Sequence, residues 1–82
     1  MLPFRLSEVS HVEFFKRDEL TTDLVCCEVT AGDQVHFSHE EAPEWAQFVD
    51  ELTALDGFDL EWRAKVMKPA FAECRTVAFS RS

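Results

Sequence analysis

The sequence predicts a small α+β fold, an antiparallel β-sheet in the order β-β-β-α-β-β with one amphipathic helix packed on one face. Three observations predict this class. Apolar residues alternate with a period of two in five short segments, and one intervening segment has a period of three to four. The chain has only 82 residues, too few for two independent cores, so we expect one domain over 1–82.

Three strands are expected in the first half of the chain, at residues 9–17, 23–30 and 34–38. In the first strand, Val12 and Phe14 share one face and Phe15 lies on the other. A polar stretch at 18–22 makes the first connection. Gly32 supplies the positive φ that a tight hairpin needs, so the second and third strands are expected to pair directly.

The helix is expected at residues 43–55, where the apolar positions are spaced by three and four. Pro43 suits the first turn, because a proline lacks an amide hydrogen that would be unpaired there. Gly57 is expected to end the helix in the left-handed conformation. Trp45 lies on the apolar stripe and is expected in the core.

Two further strands are expected after the helix, at residues 59–67 and 74–81. In the first of these, Leu60, Trp62 and Val66 fall on the same alternating set, which favours a strand. A short helix over 59–67 stays open as the alternative, because Ala64, Lys65 and Met67 are good helix formers. In the last strand, Val77 and Phe79 are expected to face the core.

Charge is divided sharply along the chain. Residues 1–17 carry a net charge of +1, residues 18–61 carry −13 without a single Lys or Arg, and residues 62–82 carry +4, for a total of −8. Such an acidic chain is repelled by nucleic acid and by anionic membranes, so neither is expected as a partner.

The acidic middle segment predicts a non-catalytic protein-binding or regulatory module. On this interpretation the helix and the central hairpin present an acidic face to a basic protein partner, through Glu40, Glu41, Glu44, Asp50 and Glu51. The alternative is that the acidic and basic segments are neighbours in the fold and neutralise each other on the surface. Abundant aromatic residues outside regular elements, Phe4, Phe58 and Phe71, together with Phe15, indicate exposed apolar surface and favour a protein partner or a homo-oligomer.

A second hypothesis is a small-anion or metabolite site on the sheet face opposite the helix. The helix is expected to cover Val25, Val29, Val35 and Phe37 together with the apolar side of 60–66. The other face would then show Cys26, Glu28, His36, Ser38, Arg63 and Lys65. Arg63 and Lys65 would bind the anion, with His36 as a titratable neighbour.

A weaker hypothesis is a metal site that uses His36, His39 and a cysteine. Residues three apart on a strand face opposite ways, and no second ligand pair completes the set, so no metal or cofactor is expected. Of the three cysteines, Cys27 is expected in the core, while Cys26 or Cys74 is expected to be partly exposed.

Catalysis is not expected. Ser38 lies near His36 and His39 in the sequence, but no glycine-flanked nucleophile is present. The odd cysteine count favours a reducing compartment, and neither a signal peptide nor a membrane span is recognisable, which predicts a cytoplasmic protein.

Overall fold

A computed structural model describes residues 2–18, 23–66 and 75–81. After a 3-10 turn at Leu6–Glu8 come three strands, β1 (Val9–Asp18), β2 (Asp23–Ala31) and β3 (Gln34–His39). Two helices follow, α1 (Trp45–Leu52) and α2 (Trp62–Val66), and then the last strand, β4 (Arg75–Ser80). The predicted α+β class, an antiparallel sheet with a helix packed on one face, is confirmed.

The four strands form one antiparallel sheet in the order β3-β2-β1-β4. The hairpin between β2 and β3 turns through Gly32, whose φ is +62°, a conformation that glycine adopts without steric strain. Ala31 pairs with Gln34 across this turn. The two-residue loop therefore sets the register of the whole β2–β3 ladder and leaves β3 as one outer strand and β4 as the other.

The core lies between the sheet and the helices and is built around Phe14, which is fully buried on β1. Its ring stacks on Trp62 with centroids 3.7 Å apart, and it meets Trp45 and Phe58 edge-on at 6.2 Å. Leu52 at the end of α1 is fully buried as well. These contacts hold both helices against the centre of the sheet. The core position of Trp45 is the one that the three-to-four spacing predicts.

The predicted strand at 59–67 is wrong, and the helical alternative is correct for Trp62–Val66. Trp62 and Val66 lie one helical turn apart and are both buried, whereas Leu60, which an inward-facing strand would have buried with them, is 72% exposed. The main-chain N–H of Asp59 donates to Ala78 C=O on β4 at 2.7 Å. The sheet consequently has four strands, and α2 packs against β1 and β4.

The predicted faces of β3 are reversed. In the observed register Val29 pairs with His36 and Cys27 with Ser38, so these two polar residues of β3 lie on the helix-covered side. Val35 and Phe37 point to the open face of the sheet and are 60% and 52% exposed. Their apolar character did not decide the face, because the hairpin turn had already set the register.

An irregularity in the pairing of β1 with β4 places one further residue on the face opposite to the predicted one. The β1–β4 ladder shifts register between Val12 and Glu13, so Phe79 is buried as predicted while Val77 is 48% exposed on the open face. The expectation that Phe58 is exposed is wrong, because Phe58 is buried; of the two cysteines named as alternatives for partial exposure, Cys26 is buried. Three expectations fall on residues outside the described ranges: the exposure of Phe71 and Cys74 and most of the connection at 18–22.

Candidate docking edge and pocket

The outer edge of β3 presents unused main-chain groups. Glu40 N–H donates to Val25 C=O at 2.9 Å, which extends the β2–β3 ladder by one pair. Hydrogen-bonded pairs alternate along an antiparallel ladder, so His36 and Ser38 direct their main-chain groups toward β2. Val35 and Phe37 then direct theirs away from the sheet, and no partner for those groups lies among the described residues.

The side chains of the same two residues form an apolar patch on the open face. Phe37 lies 6.0 Å from the ring of Phe15 on β1, so the patch continues inward from the edge. Glu28 of β2 pairs with Phe37 in the register and is only partly exposed. A strand added outside β3 would therefore meet apolar surface, with a carboxylate beside it.

A pocket of about 340 Å³ lies on the other, helix-covered side of β3. It is lined by β3, by one side of α1 and by the N-terminal segment: Pro3, His36, Phe37, Ser38, Glu44, Gln47, Phe48 and Glu51. No lining residue comes from β1, β2 or β4, so the pocket lies at the sheet's outer edge. Pro3 supplies its N-terminal side, and the neighbouring Phe4 packs its ring 4.7 Å from that of His36.

Ser38 gives the pocket an unsatisfied polar group. The residue is 7% exposed, and its Oγ is buried without a hydrogen-bond partner in the part of the chain that the structure describes. A buried hydroxyl without a partner is unfavourable by about 1–3 kcal/mol relative to a satisfied one. The hydroxyl is thus available to a ligand that brings its own donor.

The predicted acidic face is only partly assembled. Glu40 is used internally, because its Oε1 accepts the main-chain N–H of Val25 at 3.0 Å. Glu44 and Glu51 line the pocket, whereas Glu41 and Asp50 lie on exposed surface outside it. The face therefore divides into one structural carboxylate, two at the pocket and two elsewhere.

The predicted anion-binding residues do not meet on one sheet face. Arg63 and Lys65 are on α2, which packs on β1 and β4, while His36 is on β3 at the opposite edge. Lys65 Nζ donates to Asp59 Oδ2 at 2.5 Å, and this contact lowers the pKa of Asp59 and raises that of Lys65. The acidic neighbours Glu44 and Glu51 also make the surroundings of His36 unfavourable for an anion.

The metal hypothesis gains no support from the geometry. His36 lies on the helix-covered side of β3 and His39 on the open side, since His39 pairs with Cys26. Within residues 2–18, 23–66 and 75–81, no three His, Cys, Asp or Glu side chains are close enough to hold a metal ion.

The chemistry of the two described cysteines is that of buried thiols. Cys26 and Cys27 are both fully buried and not joined in a disulfide. Burial raises the pKa of the Cys27 thiol, and the neighbouring Cys26 and Glu28 raise it further. Since the thiolate is the reactive form, Cys27 is poorly suited to nucleophilic or redox chemistry.

The pocket side of α1 was not recognised from the sequence, although a signal for it exists. Glu44, Gln47 and Glu51 are spaced by three and four residues, which places them on one stripe of the helix beside the apolar stripe. The sequence pattern predicts Ser38 on the open face, which separates it from that stripe.

The described part of the chain contains no helix long and apolar enough to span a membrane. No family model, no curated protein and no solved structure matches the sequence.

Proposed function

We propose that the protein is a non-catalytic protein-binding module that docks an extended segment of a partner protein onto the outer edge of β3. The observation that carries this proposal is the edge at Val35 and Phe37, whose outward main-chain groups have no partner among the described residues. Main-chain groups that point outward from a regular strand are a template for one more strand. The six residues of β3 include no proline and no lysine, the residues that commonly protect such edges.

The chemistry of the edge selects a partner with alternating apolar and basic residues. On the open face, the added strand would contact the apolar patch of Val35 and Phe37. On the helix-covered side it would face Glu44 and the pocket. The segment 18–61 contains thirteen acidic residues and no Lys or Arg, so a basic strand is attracted to this edge.

The same charge argues against a second copy of this chain as the occupant. Two copies each carry a net charge of −8, and a two-fold contact between β3 edges would bring the two acidic regions together. A basic partner removes this repulsion. We therefore keep the hypothesis of a basic protein partner. The proposed contact is the β3 edge together with the nearby carboxylates, and not an acidic helix face by itself.

A synthetic strand tests the proposal directly. The probe is an end-blocked eight-residue peptide of alternating valine and arginine, and amide hydrogen exchange of the labelled protein is followed by NMR. We expect the Val35 and Phe37 amides to exchange rapidly in the free protein and to become protected when the peptide is added, because they then donate to it.

Two control peptides and two protein variants separate strand addition from nonspecific attraction. A peptide of the same composition with valines and arginines in separate blocks should give no protection, and neither should one with glutamate in place of arginine. Phe37→Pro should abolish protection at Val35, whereas Phe37→Ala should only weaken binding, because it retains the main-chain donor. Equal protection by all peptides would overturn the proposal. Protection of the Val35 and Phe37 amides at high protein concentration without any peptide, together with a dimer in sedimentation, would also overturn it.

A further inference from the structure

The pocket under β3 lies where every second side chain of an added strand must pass. Residues opposite Val35 and Phe37 point to the open face, and residues opposite His36 and Ser38 point to the helix-covered side. Phe37, whose main chain points out of the sheet, borders the pocket, so the pocket opens at the docking edge. A side chain opposite Ser38 therefore has a cavity in front of it.

We infer that this pocket holds one lysine or arginine side chain of the docked segment and so selects the partner. The inference rests on the proposed strand addition. Its own observation is independent of the edge: Ser38 lines the pocket, and its hydroxyl is buried and has no partner among the described residues. The head group of a lysine or arginine carries only hydrogen-bond donors, and its N–H groups can donate to Ser38 Oγ.

The other pocket residues suit the same ligand. The Glu44 carboxylate supplies the opposite charge at an exposed position, and Gln47 supplies an amide oxygen as an additional acceptor. Phe48 forms an apolar wall against which the aliphatic stem of a lysine or arginine packs. The volume of about 340 Å³ is at the small end of the range for ligand sites, as expected for one long side chain.

The sign of the charge decides between a cation and an anion. The N-terminus of α1 lies at Glu44, and a helix N-terminus by itself favours an anion with roughly half a unit of positive charge. The Glu44 carboxylate lines the pocket and carries a full negative charge against this half charge. The sum of the two is negative, so a cation is preferred.

The first experiment measures the pocket without any strand. Ethylguanidinium and its neutral analogue ethylurea are titrated separately into the labelled protein, and amide shifts are recorded. We expect ethylguanidinium to shift Ser38, Glu44 and Gln47 with a millimolar dissociation constant, and ethylurea to shift them far less. Equal shifts from both compounds, or none from either, overturn the inference even if peptides add to β3.

The second experiment measures the pocket within the complex. In the alternating peptide, each arginine is replaced in turn by citrulline, which has the same shape without the charge. We expect one position to weaken binding about tenfold and the others much less, because one side chain occupies the pocket. Uniform small losses at all positions would mean that arginine acts only through long-range attraction.

Protein variants complete the test. Glu44→Gln should weaken the arginine peptide several-fold and leave the peptide with citrulline at the pocket position unaffected, because it removes the opposite charge. Ser38→Ala should weaken both peptides, because the ureido group of citrulline keeps its N–H donors. The matched control is Asp50→Asn, which removes one charge from the same helix outside the pocket. If Asp50→Asn weakens binding as much as Glu44→Gln, the pocket does not select the side chain. If peptides fail to protect Val35 and Phe37 while ethylguanidinium still binds, strand addition fails and the cation site stands.

Discussion

The two outer strands of the sheet differ in how their edges are used. On β4, Ala78 C=O accepts the Asp59 N–H, so the segment before α2 covers part of that edge. On β3, the outward groups of Val35 and Phe37 have no such cover within the described residues. The same fold thus protects one edge with its own chain and leaves the other available.

The two outer strands also differ in the basic residues that lie near their edges. Arg75 begins β4 and Arg81 follows it, where its guanidinium donates to Val9 C=O at 3.0 Å. β3 lies within the segment that has no Lys or Arg at all. Basic residues near an edge discourage further pairing, so among the described residues β4 is better protected against strand addition than β3.

The largest expected effect on stability comes from removing an inward-pointing main-chain N–H of β3 instead of an outward-pointing one. His36→Pro removes an N–H that points toward β2 and leaves the buried Val29 C=O without its donor. We expect it to lower the free energy of unfolding by about 2–3 kcal/mol in urea titrations. Phe37→Pro removes an outward N–H and should lower it by only about 1 kcal/mol or less. Equal losses would show that the assigned direction of the main-chain groups is wrong.

An intermediate effect is expected at the covered edge. Asp59→Pro removes the N–H that reaches Ala78 and should destabilise the protein by about 1–2 kcal/mol beyond the control. The control is Asp59→Ala, which removes the carboxylate contacts to Lys65 and Glu61 but keeps the N–H. The difference between their urea midpoints measures the cover on β4. If the midpoints coincide, that hydrogen bond does not protect the edge.

The smallest effect concerns the ion pair that ties β4 to β1 across the open face. The hydrogen bond from Arg75 holds the pKa of Glu13 below its ordinary value, with His11 assisting and burial opposing. Because the pKa is lowered on folding, the pair stabilises the protein above the unfolded-state pKa, and this stability is lost as pH falls through the folded-state pKa.

We expect Glu13→Gln to flatten the stability profile between about pH 5 and pH 3, by about 1 kcal/mol or less because Arg75 is half exposed. Thermal unfolding at stepped pH measures it. Glu28→Gln is the control, since it removes a neighbouring carboxylate on the same face for which the described residues show no ion pair. A similar flattening by Glu28→Gln would mean that general acidity, not the pair, sets the profile.

The first three strands and α1 could be predicted from the spacing of apolar residues. Alternation places the apolar side chains of a strand on one face, and a spacing of three and four does the same for a helix. The ends of α1 are less predictable. The helix stops at Leu52, where the Thr53 N–H and side chain both bond back into the last turn, and not at Gly57, which has φ +90° in a later turn. Local hydrogen bonding at Thr53 thus overrides the glycine signal.

The candidate site was only partly predictable. Glu44 and Glu51 were named from charge alone, but Ser38 was placed on the wrong face. The loop between Ala31 and Gln34 has two residues, and pairing outward from it puts Ser38 opposite Cys27, so the register was accessible from turn length. The segment 59–67 was ambiguous because Trp62 and Val66 satisfy both periods, and only the exposure of Leu60 separates them.

The aromatic cluster around Phe14 also determines how the molecule can be observed. The chain has two tryptophans and no tyrosine, and both indoles are buried with centroids 6.4 Å apart. Tryptophan emission therefore originates in the interior, from two rings that pack on Phe14. Unfolding exposes both indoles to water, so tryptophan fluorescence reports loss of the folded state without an added label.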